Sequence, residues 1–435
     1  ASKPDGQPRM PIPPRRLLIR GARQLLTLRG PVPRRGRQLS ELGIIEDGSV
    51  LIEGDRIHSL GSARRMENVK DARGADEIDA TGKVVMPGFV DSHTHFLFSA
   101  PRLQDFERRI SGASYQTIQE EGGGIAATVR ALRSTSPRSL EAIGLRWLRR
   151  FAACGTTTVE GKSGYGLNPA AEGKSLRVMQ RLDGRPLEVV RTFLGAHVPP
   201  PEFQHDPDAY VALLVEQMLP VVRRRRLAEF CDVFCDQGAF TVAQARRILV
   251  AARSLGLGLK LHAGQFAAIG AASLGVELGA ISLDHLEKLA GEELEAVAES
   301  ETIATLLPGS VFHLGGSSYP PARRLLERGG AVALATDFNP GSSPTFNMQM
   351  ILALACTQMK MTPAEAVSAA TINGAAALGR AAQTGSLEPG KFADLILLDA
   401  GDYRELAYYY GTSLVHTTMR RGQIIWPARV EEPDL

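Results

Sequence analysis

Cysteine is scarce in this chain. Its 435 residues hold four, Cys154, Cys231, Cys235 and Cys356, too few for a disulfide framework at this length. Cys231 and Cys235 lie four apart in FCDVFCD, a segment that reads as a strand. Residues four apart on a strand share a face but sit too far apart to bridge. All four read as reduced thiols, and a cytoplasmic protein is expected. Long apolar runs are missing too. Nowhere do about 18 apolar residues follow one another, so neither a transmembrane helix nor a membrane partner is expected. The opening ASKPDGQPRM carries no secretory pattern. A strong excess of charge is also absent: charged residues make up 22%, hydrophobic ones 44%, and the net charge is +3. These are ordinary globular values and exclude general disorder.

The little net charge there is lies unevenly. Residues 1–37 carry ten Lys and Arg against one Asp, a net +9, which leaves −6 for the remainder. A basic, Pro-rich start invites a nucleic-acid reading. The rest of the chain is mildly acidic and holds no nucleic-acid motif. The start therefore reads as a solvated, disordered tail over residues 1–16, and no nucleic-acid partner is expected.

At roughly 150 residues per domain, the length suits three domains or one large barrel with a smaller companion. Residues 17–86 alternate short apolar runs with turns, as in RLLIRGARQLLTL and GIIEDGSVLIEGDRIHSLG. The Gly-containing turns between β-rich runs predict hairpins. From about residue 87 the pattern changes to apolar runs separated by helix-like stretches. The runs end near residues 95, 160, 197, 236, 264, 287, 308 and 337. Eight continuous apolar runs fit parallel strands covered on both faces by helices. The fold class expected is α/β: a (β/α)8 TIM-type barrel over 87–383. Residues 384–435 return to β character and are expected to complete, with 17–86, a small composite β-sandwich domain.

Polar residues interrupt these runs at their C-terminal ends. His93 and His95 stand in VDSHTH, where positions i and i+2 of a strand point to one face and can reach one metal ion. His262 ends LKLHAG, His285 ends SLDH and Asp337 ends ALATD. Barrel active sites draw on the C-terminal ends of several strands. Histidines with one aspartate form a mixed N/O set suited to Zn2+, with Fe2+ and Mn2+ also accommodated. One histidine is left over for catalysis, which keeps a coordination position for water.

These residues resemble the amidohydrolase superfamily over about 17–430. The likeness rests on PGFVDSHTH, RLQDFERRISGASY at 102–115, GGGI at 122–125, GTTTVEGKSGYGL at 155–167, TFLGAH at 192–197, FCDVFCDQGAF at 230–240 and ATDFNPGSS at 335–343. Within the superfamily the likeness is to the branch that opens the cyclic amide 4-imidazolone-5-propanoate to N-formimidoyl-L-glutamate, a step of histidine degradation. The resemblance implies one metal ion held by His93, His95, His262 and Asp337. It implies a catalytic His285 and a catalytic role for Asp337. It implies substrate contacts from Arg102, Tyr115, Tyr165, His197, Asn339, Gly341 and Ser342, and a homodimer.

The chemistry of the residues agrees with these roles. A substrate with a carboxylate tail calls for a guanidinium, which makes paired hydrogen bonds to it. Arg102 follows His95 by seven residues, on the loop leaving the first barrel strand. Tyr165 lies between two glycines in KSGYGL, where the backbone can approach a ligand closely. Lys162, in the same motif, reads as a solvated lysine. Two-metal relatives use a modified lysine on the fourth strand; FCDVFCD has none, so one metal ion is expected. Asp232 and Asp236 share a face there, and one could approach the barrel mouth.

Three positions depart from the family pattern. Gln265 stands where related deaminases carry a glutamate that passes a proton to a ring nitrogen. Gln cannot transfer that proton, so deamination is disfavoured, while its amide can still contact substrate or assist catalysis as donor and acceptor. Gly264 replaces a usual acid, and Ala126 a frequent histidine. Another cyclic amidohydrolase, or a heteroaromatic deaminase, is the alternative reading.

Overall fold

The computed structural model describes residues 15–427, apart from 115, 116, 119 and 120. The expected tail therefore lies almost wholly outside the described residues, as does Tyr115.

Two eight-stranded sheets organise the chain. Five strands precede the barrel: β1 (Arg16–Leu26), β2 (Ile44–Glu53), β3 (Arg56–Ser62), β4 (Asp76–Asp79) and β5 (Val84–Pro87). The barrel strands are β6 (Phe89–Asp91), β7 (Thr156–Lys162), β8 (Glu188–Ala196), β9 (Phe230–Cys235), β10 (Gly258–Ala263), β11 (Ser282–His285), β12 (Ile303–Leu306) and β13 (Val332–Leu334). Three more follow: β14 (Leu395–Leu398), β15 (Val415–Arg420) and β16 (Gln423–Trp426).

Strands β6 to β13 pair in parallel with their sequence neighbours throughout, and all eight coincide with the apolar runs read from the sequence. Strand β7 shows why those runs were legible. Every residue of TTTVEGK is buried, because helices cover the outer face and the inner face lines the barrel. Several return helices begin in one way. Ser136, Asn168, Asp206 and Thr362 each accept the backbone N–H three residues on, and each is followed by proline. The side chain satisfies an orphan donor, and proline presets φ for the first turn.

The barrel closes through backbone that carries the candidate ligands. Thr94 bridges Phe338 in parallel, the His95 N–H donates to the Phe338 carbonyl at 2.9 Å, and the Asp337 N–H donates to the His93 carbonyl at 3.0 Å. Closure of the fold and assembly of the site are thus one event.

The N- and C-terminal segments weave into the other sheet, in the order β16-β15-β14-β5-β1-β2-β3, with β4 against β1. Strands β5 and β14 join the two ends of the chain, pairing Val85 with Leu397. Ile19, Leu25, Val50, Ile52, Leu395 and Leu397 pack into one apolar cluster between them.

Candidate active site

His93, His95, His262 and Asp337 are all buried at the C-terminal mouth of the barrel. The Nε2 atom of His95 lies 3.3 Å from that of His93 and 3.4 Å from that of His262. Oδ1 of Asp337 lies 3.5 Å from His93 Nε2 and 3.6 Å from His95 Nε2. Four ligands placed tetrahedrally about 2.1 Å from one ion would stand about 3.4 Å apart. These spacings suit donors around a small cation; the ligand atoms of His93, His95 and His262 form one mutually close group, and those of His93, His285 and Asp337 another.

The far sides of two rings are tied to carboxylates. Nδ1 of His93 lies 2.6 Å from Asp284 Oδ2 in a hydrogen bond, whereas Nδ1 of His262 lies 3.0 Å from Asp232 Oδ2 but out of line for one. A proton on Nδ1 facing a carboxylate leaves the Nε2 lone pair for the cation. Burial pushes the pKa of His93, His95 and His262 well below the ordinary value, and nearby positive groups add to the effect. Neutral imidazole is the ligating form. The residues present fit a divalent metal.

His285 differs from the other three. Burial opposes its charge, but the Glu287 carboxylate, 3.2 Å from its Nδ1, outweighs burial and lifts the pKa to about 9. Burial raises Asp337 to about 7, with the charge of His285 working against the shift. Both residues adopt the left-handed backbone region, with φ of +83° at His285 and +54° at Asp337. That conformation costs about 1–3 kcal/mol per non-glycine residue, and both strand ends hold it where the site needs the side chain turned inward.

A cavity opens above these groups. Arg102, Tyr165, His197, Gln265, Asn339, Gly341 and Ser342 line it, together with Ile125, Phe234, Phe266 and Leu314. All the described residues expected from the sequence to touch substrate thus reach one space. Arg102 Nε donates to Thr128 Oγ1 at 2.7 Å. Among the described residues no carboxylate pairs with this guanidinium, which lies 5.9 Å above the Tyr165 ring. A Cβ at position 341 would stand 2.3 Å from Arg102 Nη1, so glycine there makes room for the arginine. His197 donates from Nδ1 to the Gly164 carbonyl at 3.0 Å. Burial drops its pKa to about 4, and the neutral ring presents Nε2 as an acceptor. The Asn339 amide is committed to its own loop. Its Oδ1 accepts the N–H groups of Gly341 and Ser342, and its Nδ2 donates to the Asp337 carbonyl.

Sequence reasoning missed the groups beneath and beside the cavity. Lys162, read as solvated, is buried, and its ammonium meets Glu160, Asp232 and Asp284. The correction has a simple cause: alternation along β7 turns Glu160 and Lys162 into the barrel. Charged residues inside an otherwise apolar run were the available signal. Glu172 accepts the N–H groups of Gly164, Gly166 and Leu167 at 2.7–3.1 Å and so shapes the Tyr165 loop. Asp236 does the same for Gln265, Phe266 and Ala267 at 2.8–3.0 Å. No local pattern distinguishes Glu172 from an ordinary surface carboxylate, whereas alternation along the fourth barrel strand already pointed to Asp232 and Asp236.

A parallel barrel with histidines and an aspartate converging at its mouth defines the class. The profile of the amidohydrolase family matches residues 84–425. Curated relatives narrow the assignment. The chain is 47% identical over 416 residues to an imidazolonepropionase of Geobacillus kaustophilus, covering 94% of this chain and 98% of the relative. It is 47% identical over 407 residues to the imidazolonepropionase of Solibacter usitatus, covering 93% and 97%. The chain belongs to the amidohydrolase family and, within it, to the imidazolonepropionases. Solved structures share the fold at lower identity. A triazine hydrolase variant superposes with a TM-score of 0.73 at 19% identity, covering 94% of each chain. The guanine deaminase of E. coli gives 0.72 at 16%, covering 94% of this chain and 99% of its own.

Proposed function

We infer that this chain hydrolyses the ring amide of 4-imidazolone-5-propanoate to N-formimidoyl-L-glutamate. The observation that carries the reading is one cavity in which convergent His and Asp donors meet a guanidinium without a carboxylate partner among the described residues. The substrate has matching parts: a hydrolysable cyclic amide and a propionate.

Arg102 receives the propionate through paired, charge-assisted hydrogen bonds. Tyr165 and His197 pack against the ring, and Gln265 offers it a donor and an acceptor. Ser342 and Gly341 complete the wall. Hydrolysis places the water oxygen on the former carbonyl carbon and one water proton on the departing ring nitrogen. A divalent cation held by His93, His95, His262 and Asp337 supplies the charge that makes water nucleophilic at neutral pH and polarises the carbonyl. Asp337 accepts a proton from the attacking water and returns it to the leaving nitrogen. His285, kept protonated by Glu287, stabilises the oxyanion that develops on the carbonyl oxygen.

Zn2+ suits this N/O set first, with Fe2+ and Mn2+ as the other suitable ions. A homodimer in the cytoplasm completes the proposal. The four cysteines are free thiols, as a reducing compartment keeps them, and no helix among the described residues is long and apolar enough to cross a membrane.

The test is absorbance-monitored turnover of freshly prepared imidazolone propionate, with and without chelator. Cation-loaded protein is expected to consume the substrate, to stop on chelation and to recover on adding Zn2+. It should release no ammonia from heteroaromatic bases. Failure of the loaded protein to consume the substrate overturns the assignment.

A further inference from the structure

Below the histidines lies a buried charge cluster that the reaction scheme does not use. Lys162 Nζ stands 2.7 Å from Asp232 Oδ2, 2.9 Å from Glu160 Oε2 and 3.4 Å from Asp284 Oδ2. Lys260 adds a second ammonium, 3.2 Å from Glu160 Oε1. All five side chains are fully buried. The two aspartate oxygens that meet Lys162 are the same atoms that face the histidines: Asp284 Oδ2 at His93 Nδ1 and Asp232 Oδ2 at His262 Nδ1. One ammonium therefore joins two Asp–His pairs. Strand register makes the junction possible, since Lys260 pairs with Asp232 and His262 with Asp284 on neighbouring strands.

Burying an ammonium costs several kcal/mol, and apolar residues of similar size often serve stability as well or better. A lysine kept in this place points to a task other than stability. We propose that Lys162 is a positioning residue of the cation cage. Its ammonium holds Asp232 and Asp284 together, so that Asp284 keeps the Nδ1 proton of His93, Asp232 stays against the Nδ1 side of His262, and both Nε2 lone pairs are aimed at one point. Without it, two buried carboxylates repel, turn away from each other and release the rings. The proposal rests on the reading of His93, His95, His262 and Asp337 as ligands of a divalent cation.

The cluster carries a net charge of −1, from three acids and two lysines. Lys162→Met makes it −2. Adding Glu160→Gln restores −1 without restoring the bridge; Glu160 lies within 4.8 Å of the His93–Asp284 pair but hydrogen-bonds to neither Asp–His pair. The experiment strips the purified full chain with chelator and titrates Zn2+ against a chromophoric competitor. Co2+ loading, read by its visible absorption, reports the coordination geometry. Lys162→Met is expected to bind Zn2+ about 10–100-fold more weakly, as when other outer partners of metal ligands are lost, with an altered Co2+ spectrum. The double variant is expected to stay as weak. Recovery of wild-type affinity in the double variant would show that only net charge matters and would overturn the proposal. So would Lys162→Met binding within about twofold of wild type. If the single variant does not fold, the charge-balanced double variant decides by itself. Wild-type protein that takes up no ion would instead refute the cage.

Discussion

The two sheets of this protein treat charge in opposite ways. The terminal sheet buries Ile19, Val50, Leu395 and their neighbours and pairs its ions outside. Arg15–Asp76 is 68% and 61% exposed, and Arg20–Glu77 is 54% and 55% exposed. Its buried carboxylate, Asp394, takes the backbone N–H of Arg421 at 2.8 Å. The barrel sheet instead draws Glu160, Lys162, Asp232, Lys260 and Asp284 into its centre, under a ring of buried histidines. Apolar burial at about 25 cal/mol per Å² suffices to hold a sheet together. Buried charges cost several kcal/mol each unless paired. A fold that gathers so many at one end marks where its chemistry lies.

Four changes would break or sharpen that contrast. The largest effect is expected at Asp337. Asp337→Asn removes the proposed anionic ligand and proton carrier, and kcat should fall about 10³-fold or more with little change in melting temperature. An active Asp337→Asn enzyme would place the chemistry elsewhere. Leu395→Ala in the terminal sheet should do the reverse. It should cost about 2–5 kcal/mol of stability in chemical denaturation and leave kcat per folded molecule unaltered; a kcat loss would show that the two sheets are not separable in this way.

The third change concerns pH. His285 is charged below about 9 and loses its proton above it. The profile of kcat/KM should therefore fall as pH rises through about 9. Glu287→Gln removes the largest of the charges that oppose burial, so the alkaline limb should move down. A limb that stays in place would remove His285 from the mechanism. The smallest effect is expected at the surface: Asp76→Asn breaks an exposed pair and should shift stability by no more than about 1 kcal/mol, with unchanged kinetics.

Much of this arrangement was legible without coordinates. The barrel strands show as eight apolar runs because both of their faces are covered. The candidate ligands show because a histidine or aspartate at the end of such a run is unusual. Lys162 was misread because a single lysine in a glycine-rich motif looks like any loop lysine. Its partners Asp232 and Asp284 lie 70 and 122 residues away, and no local pattern links them. Glu172 was hidden for a related reason: it grips backbone N–H groups, which every residue but proline carries.

The order of residues along the chain determined the layered barrel, its paired termini and the kinds of side chain brought to its mouth, since periodicity and burial are properties of short segments. Only the closed barrel decided which groups touch. Residues 93 and 337 become neighbours when the first and last barrel strands join. That contact depends on strand register and curvature summed around the whole ring, which no single segment contains.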